Sequence, residues 1–519
     1  METELKLLLA PAHTKAFIRH PLVKRHALAA PRIKEQTGTY FDTPDLLLRR
    51  HDAGLRVRRT GNEFIQTLKA GGGVSGGLHQ RNEWESQVAA ETPDLLALRA
   101  LVAGDDEQVA EILSDEVAAR ITPIFSTRIQ RMVWDLRLKD GTEVECVLDQ
   151  GTVEHGALQS PVCEIELELK SGDVNALFDF ALQLLQDLPL RIGIQSKAQR
   201  GYTLFHQVRR GDAAPVSSAS RATALQLARK MPVEQAFLAV VGNCVAQIQA
   251  NDIADQDSGD IERLHQMRVG LRRLRSAFSL FSEVIALPAA LEQEFAWIAD
   301  AIGHARDWDV LATQTLPTLP GLAADSIAGI DLEAVRHAAL IQARKQHAQA
   351  VETVASPRYT ALVLQFSRWL LQAGWRTTAT GDNRQALEQA LARFARQHLR
   401  QDEKRLNKRG AHMDESARAR HRTRIAAKKM RYDIEFFLAL YGEKKSRPYL
   451  KALARLQDQL GLQNDLVVAD ALLQQLQRRQ ARLAPSVAWV RGFLSGQAGD
   501  GHARTRRLWK KWQAQDLPE

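Results

Sequence analysis

Charged and aliphatic residues alternate at the start of the chain: in Glu2-Thr3-Glu4-Leu5-Lys6-Leu7 the charges take one parity. A β-strand with this pattern shows Glu2, Glu4 and Lys6 on one face, neighbours there lying roughly 6 to 7 Å apart. The same period returns in Glu164-Ile165-Glu166-Leu167-Glu168-Leu169-Lys170, so two strands offer carboxylates to a shared space. Further alternating runs at 54–59, 64–69, 83–88, 128–138 and 143–148, divided by turns at 71–77 and 139–141, predict a mostly β region over 1–208. Helical periods interrupt it at 94–119 and 173–187. Residues 209–222 have the composition of a linker, and from 223 to 519 Ala, Leu, Gln and Arg recur at helical spacing. The expected fold class is multidomain: an α+β domain at 1–208, the linker, then an all-α domain at 223–519.

Composition changes this picture in one respect. The 519 residues suffice for more than one core, and the formal net charge of +9 is unevenly spread. Residues 1–210 hold 26 Lys and Arg against 29 Asp and Glu, whereas the remainder holds 44 against 32. The helical part therefore calls for an anionic partner, with a solvated basic surface as the alternative. Cys146, Cys163 and Cys244 lack metal-ligand spacing and fit reduced, buried thiols. No run of 18 apolar residues occurs and no basic-then-apolar leader opens the chain, which leads us to expect a soluble cytoplasmic protein without a membrane partner.

The charges that parity aims to one side of their strands are Glu2, Glu4, Lys6, Arg56, Arg58, Lys69, Arg81, Glu83, Glu85, Arg128, Glu145, Asp149, Glu164, Glu166 and Glu168, with Lys197 and Arg200 near the end of the domain. Carboxylates suit hard ions such as Mg²⁺ or Mn²⁺, while Arg and Lys suit phosphate oxygens. A site holding both would bind a metal and a polyphosphate together; exposed strands laced with salt bridges are the competing reading.

Six stretches in order resemble the CYTH family, the triphosphate tunnel metalloenzymes: Glu2-X-Glu4-X-Lys6, Tyr40-Phe41-Asp42-Thr43-Pro44, Leu55-Arg56-Val57-Arg58, Arg81-Asn82-Glu83-Trp84-Glu85, Glu164-Ile165-Glu166-Leu167-Glu168 and Ser196-Lys197-Ala198-Gln199-Arg200-Gly201-Tyr202. The resemblance implies an eight-stranded antiparallel tunnel with flanking helices that binds triphosphate compounds with a divalent metal. It implies Glu2, Glu4, Glu164, Glu166 and Glu168 on the metal side, and Arg56, Arg58, Arg81, Arg128, Lys197 and Arg200 on the phosphates. Glu2, Glu4, Lys6 and Lys69 would be the catalytic set. Family members act on inorganic triphosphate, thiamine triphosphate or, with cyclisation, ATP; a long helical extension is most similar to the inorganic triphosphatases.

The helical region contains a repeat. His265-Gln266-Met267-Arg268, continuing through Arg272, Arg273 and Arg275, superposes at an offset of 156 on His421-Arg422-Thr423-Arg424, continuing through Lys428, Lys429 and Arg431. On each helix the histidine and three of the cations fall within about 80° of arc, a basic stripe about 15 Å long beside an apolar one. Snorkelling at a core edge would explain one such stripe; its recurrence favours an anion site. Gly303-His304-Ala305-Arg306-Asp307 and Gly461-Leu462-Gln463-Asn464-Asp465 form a second matched pair, predicting duplicated helical bundles.

These residues resemble the CHAD domains, conserved-histidine helical domains that bind inorganic polyphosphate. The resemblance implies a polyphosphate surface made by His265, Arg268, Arg272, Arg273 and Arg275 with His421, Arg424, Lys428, Lys429 and Arg431, with Arg400 and Lys404 as weaker candidates. Trp297, Trp308 and Trp369 are expected in the core rather than as stacking platforms, which ranks nucleic acid low as a partner. The sequence thus points to a metal-dependent inorganic triphosphatase coupled to a polyphosphate-binding domain. The alternatives are a non-catalytic scaffold at polyphosphate granules, or a tunnel enzyme acting on nucleoside or thiamine triphosphate.

Overall fold

The computed structural model describes residues 1–210, 219–254, 260–319, 329–377 and 380–518, so 211–218 of the expected linker lie outside the described residues. The chain forms two compact units, Met1–Val216 with Ala355–Gln372, and Ser217–Val354 with Ala373–Glu519.

Eight strands of the first unit close on themselves. They are β1 (Glu2–Leu8), β2 (Arg32–Asp42), β3 (Ala53–Thr60), β4 (Glu63–Ser75), β5 (Leu78–Val88), β6 (Thr122–Arg137), β7 (Glu143–His155) and β8 (Leu158–Ser171). Around the ring the order is β1-β5-β4-β3-β2-β6-β7-β8, and β8 returns to β1. All neighbours are antiparallel, and a short β9 (Arg191–Ile192) pairs with the last residues of β1.

Alternation sends the aliphatics outward in this barrel. Leu5 and Leu7 of β1, Cys146 and Leu148 of β7 and Ile165 and Leu167 of β8 are buried beneath helix Asn175–Leu184, through Leu177, Phe178, Ala181 and Leu184. Leu55, Val57, Leu68 and Trp84 meet a second helical cover. The period predicted over 94–119 is there broken into Leu95–Val102, Glu107–Ile112 and Asp115–Ala118, each N-capped by Asp94, Asp106 or Ser114. With apolar residues spent on the outside, the inward parity is left to charge.

Two of the sequence motifs serve the frame. Asp42, fully buried, accepts from the backbone N–H groups of Thr43 (2.7 Å), Leu48 (2.9 Å) and Arg49 (3.1 Å) and from the Tyr202 hydroxyl (2.8 Å). This ties helix Lys197–Arg210 to the barrel and fixes the entry of Lys197.

The first unit also includes helix Pro357–Leu371, which the sequence places within the all-α region. Leu364 is fully buried among the β1 and 175–184 side chains, and Thr360 Oγ1 donates to the Leu190 carbonyl over 2.9 Å. Arg368 pairs with Asp179 at 2.6 Å. At Gly76 (φ +60°) a Cβ would lie 1.7 Å from Ser367 Oγ, so both the turn and the approach of this helix require glycine.

The second unit repeats a four-helix pattern. Helices Val233–Ala250, Ile261–Phe281, Ala289–Val310 and Leu332–Val354 correspond to Leu391–Gly410, Ala417–Phe436, Glu443–Arg479 and Ala484–Gln513, each packing on its predecessor. Pro232 and Ala390, which precede equivalent helices, pair antiparallel with each other, and the two second helices pack together. Trp308 is buried and Trp297 half-buried here; Trp369 is buried in the first unit's helix 357–371. Cys146 and Cys244 are buried and Cys163 half-buried, and all three thiols are free. Among the described residues no helix is long and apolar enough to cross a membrane.

Candidate functional site: a charged tunnel and a basic helical cavity

Inside the barrel lies a cavity of about 320 Å³. Its inner end is a knot of ion pairs. Lys6 donates to Glu164 (3.1 Å) and to Glu166, and Lys197 meets Glu164 (2.6 Å), Glu166 (2.9 Å) and Asp149 (2.6 Å). Arg131 grips Asp149 in a fork (2.8 and 2.6 Å) and reaches Glu166 at 2.9 Å. Burial opposes ionisation of Glu166, but Lys197, Lys6 and Arg131 outweigh it and hold the carboxyl well below its usual range. Ligand atoms of Asp149, Glu164 and Glu166 lie within 4.8 Å of one another, yet three cations already answer these three carboxylates.

Further along β1 the balance differs. Glu4 stands opposite Glu168 across β1–β8, and Glu168 opposite Glu145 across β7–β8, so three adjacent strands present three carboxylates in a row. Like charges directly opposite repel. Burial, with Glu166 adding to it against the pull of Lys6, pushes the Glu4 carboxyl up, and burial raises Glu168 against Lys170, which donates to Glu168 over 2.6 Å and lies 4.0 Å from Glu145. Oxygen donors crowded this way fit a hard divalent ion. Glu4, Glu145 and Glu168, with Glu2 two residues along β1, are a second set of carboxylates that could hold one, beside Asp149, Glu164 and Glu166.

Across the ring from β8 stands β3, whose Arg56 and Arg58 face inward. Their contacts are long: Arg56 to Thr67 Oγ1 at 3.4 Å and Arg58 to Glu85 at 3.4 Å, while Arg81 of β5 reaches Asp52 at 3.9 Å. Burial and then the neighbouring Arg56 push Arg58 down. Lys69 donates to Glu2 and lies 3.3 Å from Glu83; burial, against Lys69 but with Glu2 and Glu85, lifts Glu83 to about 7. One arc of wall thus crowds carboxylates and the facing arc holds loosely partnered cations.

The second unit has a cavity of about 660 Å³ between helices 261–281 and 417–436. His265, Arg268, Arg272 and Arg275 enter from the first helix, and His421, Arg424, Lys428 and Lys429 from the second. Arg268 meets Asp307 at 3.0 Å, and His421 Nδ1 meets Asn464 Oδ1 at 2.8 Å. Burial, then Arg272 and Arg424, pushes the Lys428 ammonium down to about 6. Arg424, Arg306 and His265 are also lowered, each first by burial and partly by neighbouring cations. These shifts mark a surplus of positive charge that an anion would relieve.

Residues 1–202 match the CYTH domain family and residues 239–474 match the CHAD domain family. The chain joins a CYTH domain to a CHAD domain. The CYTH part is 38% identical over 167 residues to an inorganic triphosphatase of Haemophilus influenzae; the match spans 32% of this chain and 45%, less than half, of that relative. The crystal structure of the CHAD domain from the plant Ricinus communis superposes with a TM-score of 0.53 at 39% identity, covering 59% of this chain and 99% of that one.

In the CYTH tunnel the structure brings together Glu2, Glu4, Lys6, Arg56, Arg58, Lys69, Arg81, Glu166, Glu168 and Lys197. Glu164 lies fully buried behind Lys6 and Lys197, and Glu164 and Glu166 are ion-paired to both lysines while their ligand atoms, with those of Asp149, stay close enough together to hold an ion. Arg200 braces Glu164 from outside, at 3.5 Å, and donates to the Pro161 carbonyl. Arg128 is turned outward, its side chain 73% exposed and paired with Glu154, and Arg131 takes the inward place on β6. Trp134 and Leu136 face the outer core, so even positions of this stretch, Arg128 among them, leave the tunnel and odd ones enter it. His79 and Lys170 also line the cavity and were not singled out from sequence.

In the CHAD domain Arg273 and Arg431 turn away from the shared cavity. Arg273 is buried, bonds Gln247 and Asn243 at 2.8 Å each and lies 5.3 Å over the Phe436 ring, while Arg431 pairs with Glu435 at 2.7 Å. Arg400 and Lys404 are exposed on helix 391–410 and do not line the cavity. Arg306, missed as a member of the cluster, joins it from helix 289–310.

Proposed function

We propose that the CYTH tunnel hydrolyses inorganic triphosphate with a divalent cation, Mg²⁺ or Mn²⁺, and that the CHAD cavity holds inorganic polyphosphate. One observation carries the first part: the carboxylate row Glu4, Glu145 and Glu168 faces the loosely partnered guanidiniums Arg56 and Arg58 across a single cavity, with Arg81 opposite Glu2 on the strand beside the row. Glu2, Glu4, Glu145 and Glu168 would hold the ion, which when bound polarises a phosphoryl oxygen. Arg56, Arg58, Arg81 and Lys69 hold the phosphate chain in line and neutralise the charge that grows on the leaving phosphate. Lys6, Lys197 and Arg131 keep the inner carboxylates ionised and fixed. The name of the Haemophilus relative supports inorganic triphosphate among the possible tunnel substrates.

The paired basic stripes carry the second part. A linear polyanion has closely spaced charges and no bases to stack, which suits a cavity lined by Arg, Lys and His. The test is a panel of triphosphate, long polyphosphate, thiamine triphosphate and ATP, each with Mg²⁺ or Mn²⁺, read as phosphate release and as polyphosphate binding. Fastest release from triphosphate supports the reading. Faster turnover of a nucleotide, or no metal-dependent release, overturns it.

A further inference from the structure

His79 on β5 pairs with Glu4 on β1 and both line the tunnel, so their side chains leave the same face of the sheet. The residue is only 4% exposed. Its Nε2 lies 2.9 Å from the Gly193 carbonyl oxygen. A carbonyl oxygen only accepts, so Nε2 carries a hydrogen, and in the neutral ring the lone pair is then on Nδ1. Gly193 is itself held by β1: its N–H donates to the Lys6 carbonyl over 2.9 Å, and a Cβ there would lie 2.6 Å from Lys6 Cγ. The backbone of the strand carrying Glu4 and Lys6 thus fixes the tautomer. Among the described residues no hydrogen bond reaches Nδ1. The tunnel's carboxylates are acceptors too, but a carboxylate near a phosphate chain repels it, and a neutral nitrogen does not.

We propose that His79 Nδ1 accepts a hydrogen bond from the water that attacks a terminal phosphorus of triphosphate, an inference that rests on the triphosphatase reading above. In this step the water oxygen bonds to phosphorus and the bridging P–O bond breaks, its electron pair leaving on diphosphate. The two water protons end one on each product. His79 changes no protonation state; it aims the water's free lone pair at phosphorus.

The test measures phosphate release by the full chain carrying His79→Gln or His79→Asn, with KM, kcat, Mg²⁺ half-saturation and melting temperature read in parallel. The glutamine amide nitrogen can still reach the Gly193 carbonyl but offers nothing at the Nδ1 position; the asparagine oxygen sits near Nδ1. We expect His79→Gln to lose about tenfold in kcat, the worth of one positioned hydrogen bond, with KM and Mg²⁺ half-saturation within about twofold. His79→Asn should recover most of kcat. Undiminished kcat in His79→Gln overturns the proposal. An equal loss in both variants with a lowered melting temperature overturns it in favour of packing. A shift of Mg²⁺ half-saturation beyond about tenfold overturns it in favour of a metal ligand. An unaltered chain that releases no phosphate from triphosphate fails the underlying reading, a result distinct from any produced by the variants.

Discussion

In the tunnel Lys6, Lys197 and Arg131 are matched to Asp149, Glu164 and Glu166, whereas in the helical cavity Arg272, Arg424 and Lys428 crowd one another with Asp307 and Asp465 as the lining carboxylates. The tunnel neutralises its inner charges and gathers carboxylates, partly answered by Lys6 and Lys170, on one arc and the loosely partnered Arg56 and Arg58 on the facing one, as a site must that positions both a cation and an anion. The helical cavity leaves one sign of charge in excess, with Asp307, among the described residues, answering only Arg268. The first arrangement suits a reaction and the second suits retention of a polyanion. The contrast also shows how charge density alone misleads, because the most densely charged part of the tunnel is the least available to a ligand.

The comparison breaks most directly at the carboxylate row. Glu4→Gln with Glu168→Gln should lower metal-dependent phosphate release on the order of a thousandfold, with polyphosphate retention and circular dichroism unchanged. Retained turnover would remove the row from the metal site. Replacing Glu166 is a poorer probe, since it would leave three cations facing two buried carboxylates.

Charge reversal at Arg272 and Lys428 attacks the other side. Arg272→Glu with Lys428→Glu should weaken polyphosphate binding about a hundredfold at low salt and flatten its dependence on salt concentration. Unchanged affinity at moderate salt would sink the cavity assignment. Leu364→Ala asks whether a helix reached late in the chain supports the barrel: a fully buried leucine truncated there should cost about 2 to 5 kcal/mol, read in urea unfolding. An unshifted transition would show that the barrel holds without it.

The subtlest expected effect is on pH. Lys428 in the folded protein titrates at about 6, far below a free lysine, so between that pH and the ordinary lysine range the unfolded chain binds more protons and stability rises with pH. Polyphosphate favours the ammonium, so binding takes up a proton above pH 6 and affinity falls as pH rises, by at most about tenfold per unit. Calorimetry in buffers of different ionisation heat should detect that uptake, and Lys428→Gln should reduce it, His265 supplying the remainder. Equal uptake in both proteins would assign the proton elsewhere.

Much of this was legible in the residues. The two-residue period of Glu2-Thr3-Glu4-Leu5-Lys6 and of Glu164–Lys170 declares inward charge, because parity in a strand leaves a side chain only two directions. The 156-residue repeat declares paired basic stripes for the same kind of reason on a helix. Arg128 and Arg131 show where local pattern failed: both sit in one charged run, and only the apolar cover over Trp134 and Leu136 decides which parity faces the tunnel. Arg273 and Arg431 failed likewise, since a helix stripe is wider than the cavity it borders.

Sequence by itself determined the strand and helix periods and most of the charges that face inward or form stripes, all of which follow from neighbours a few residues apart, but not that helix 357–371 joins the barrel. Tertiary structure alone decided the rest. The ring closure sets Glu4, Glu168 and Glu145 side by side across three strands, and placing Glu4 there depends on register between β1 and β8, segments more than a hundred residues distant. It decided that Glu164 and Glu166 are spent on Lys6, Lys197 and Arg131, because ion pairing follows distance in space. It also fixed the tautomer of His79 through the carbonyl of Gly193, a partner 114 residues away.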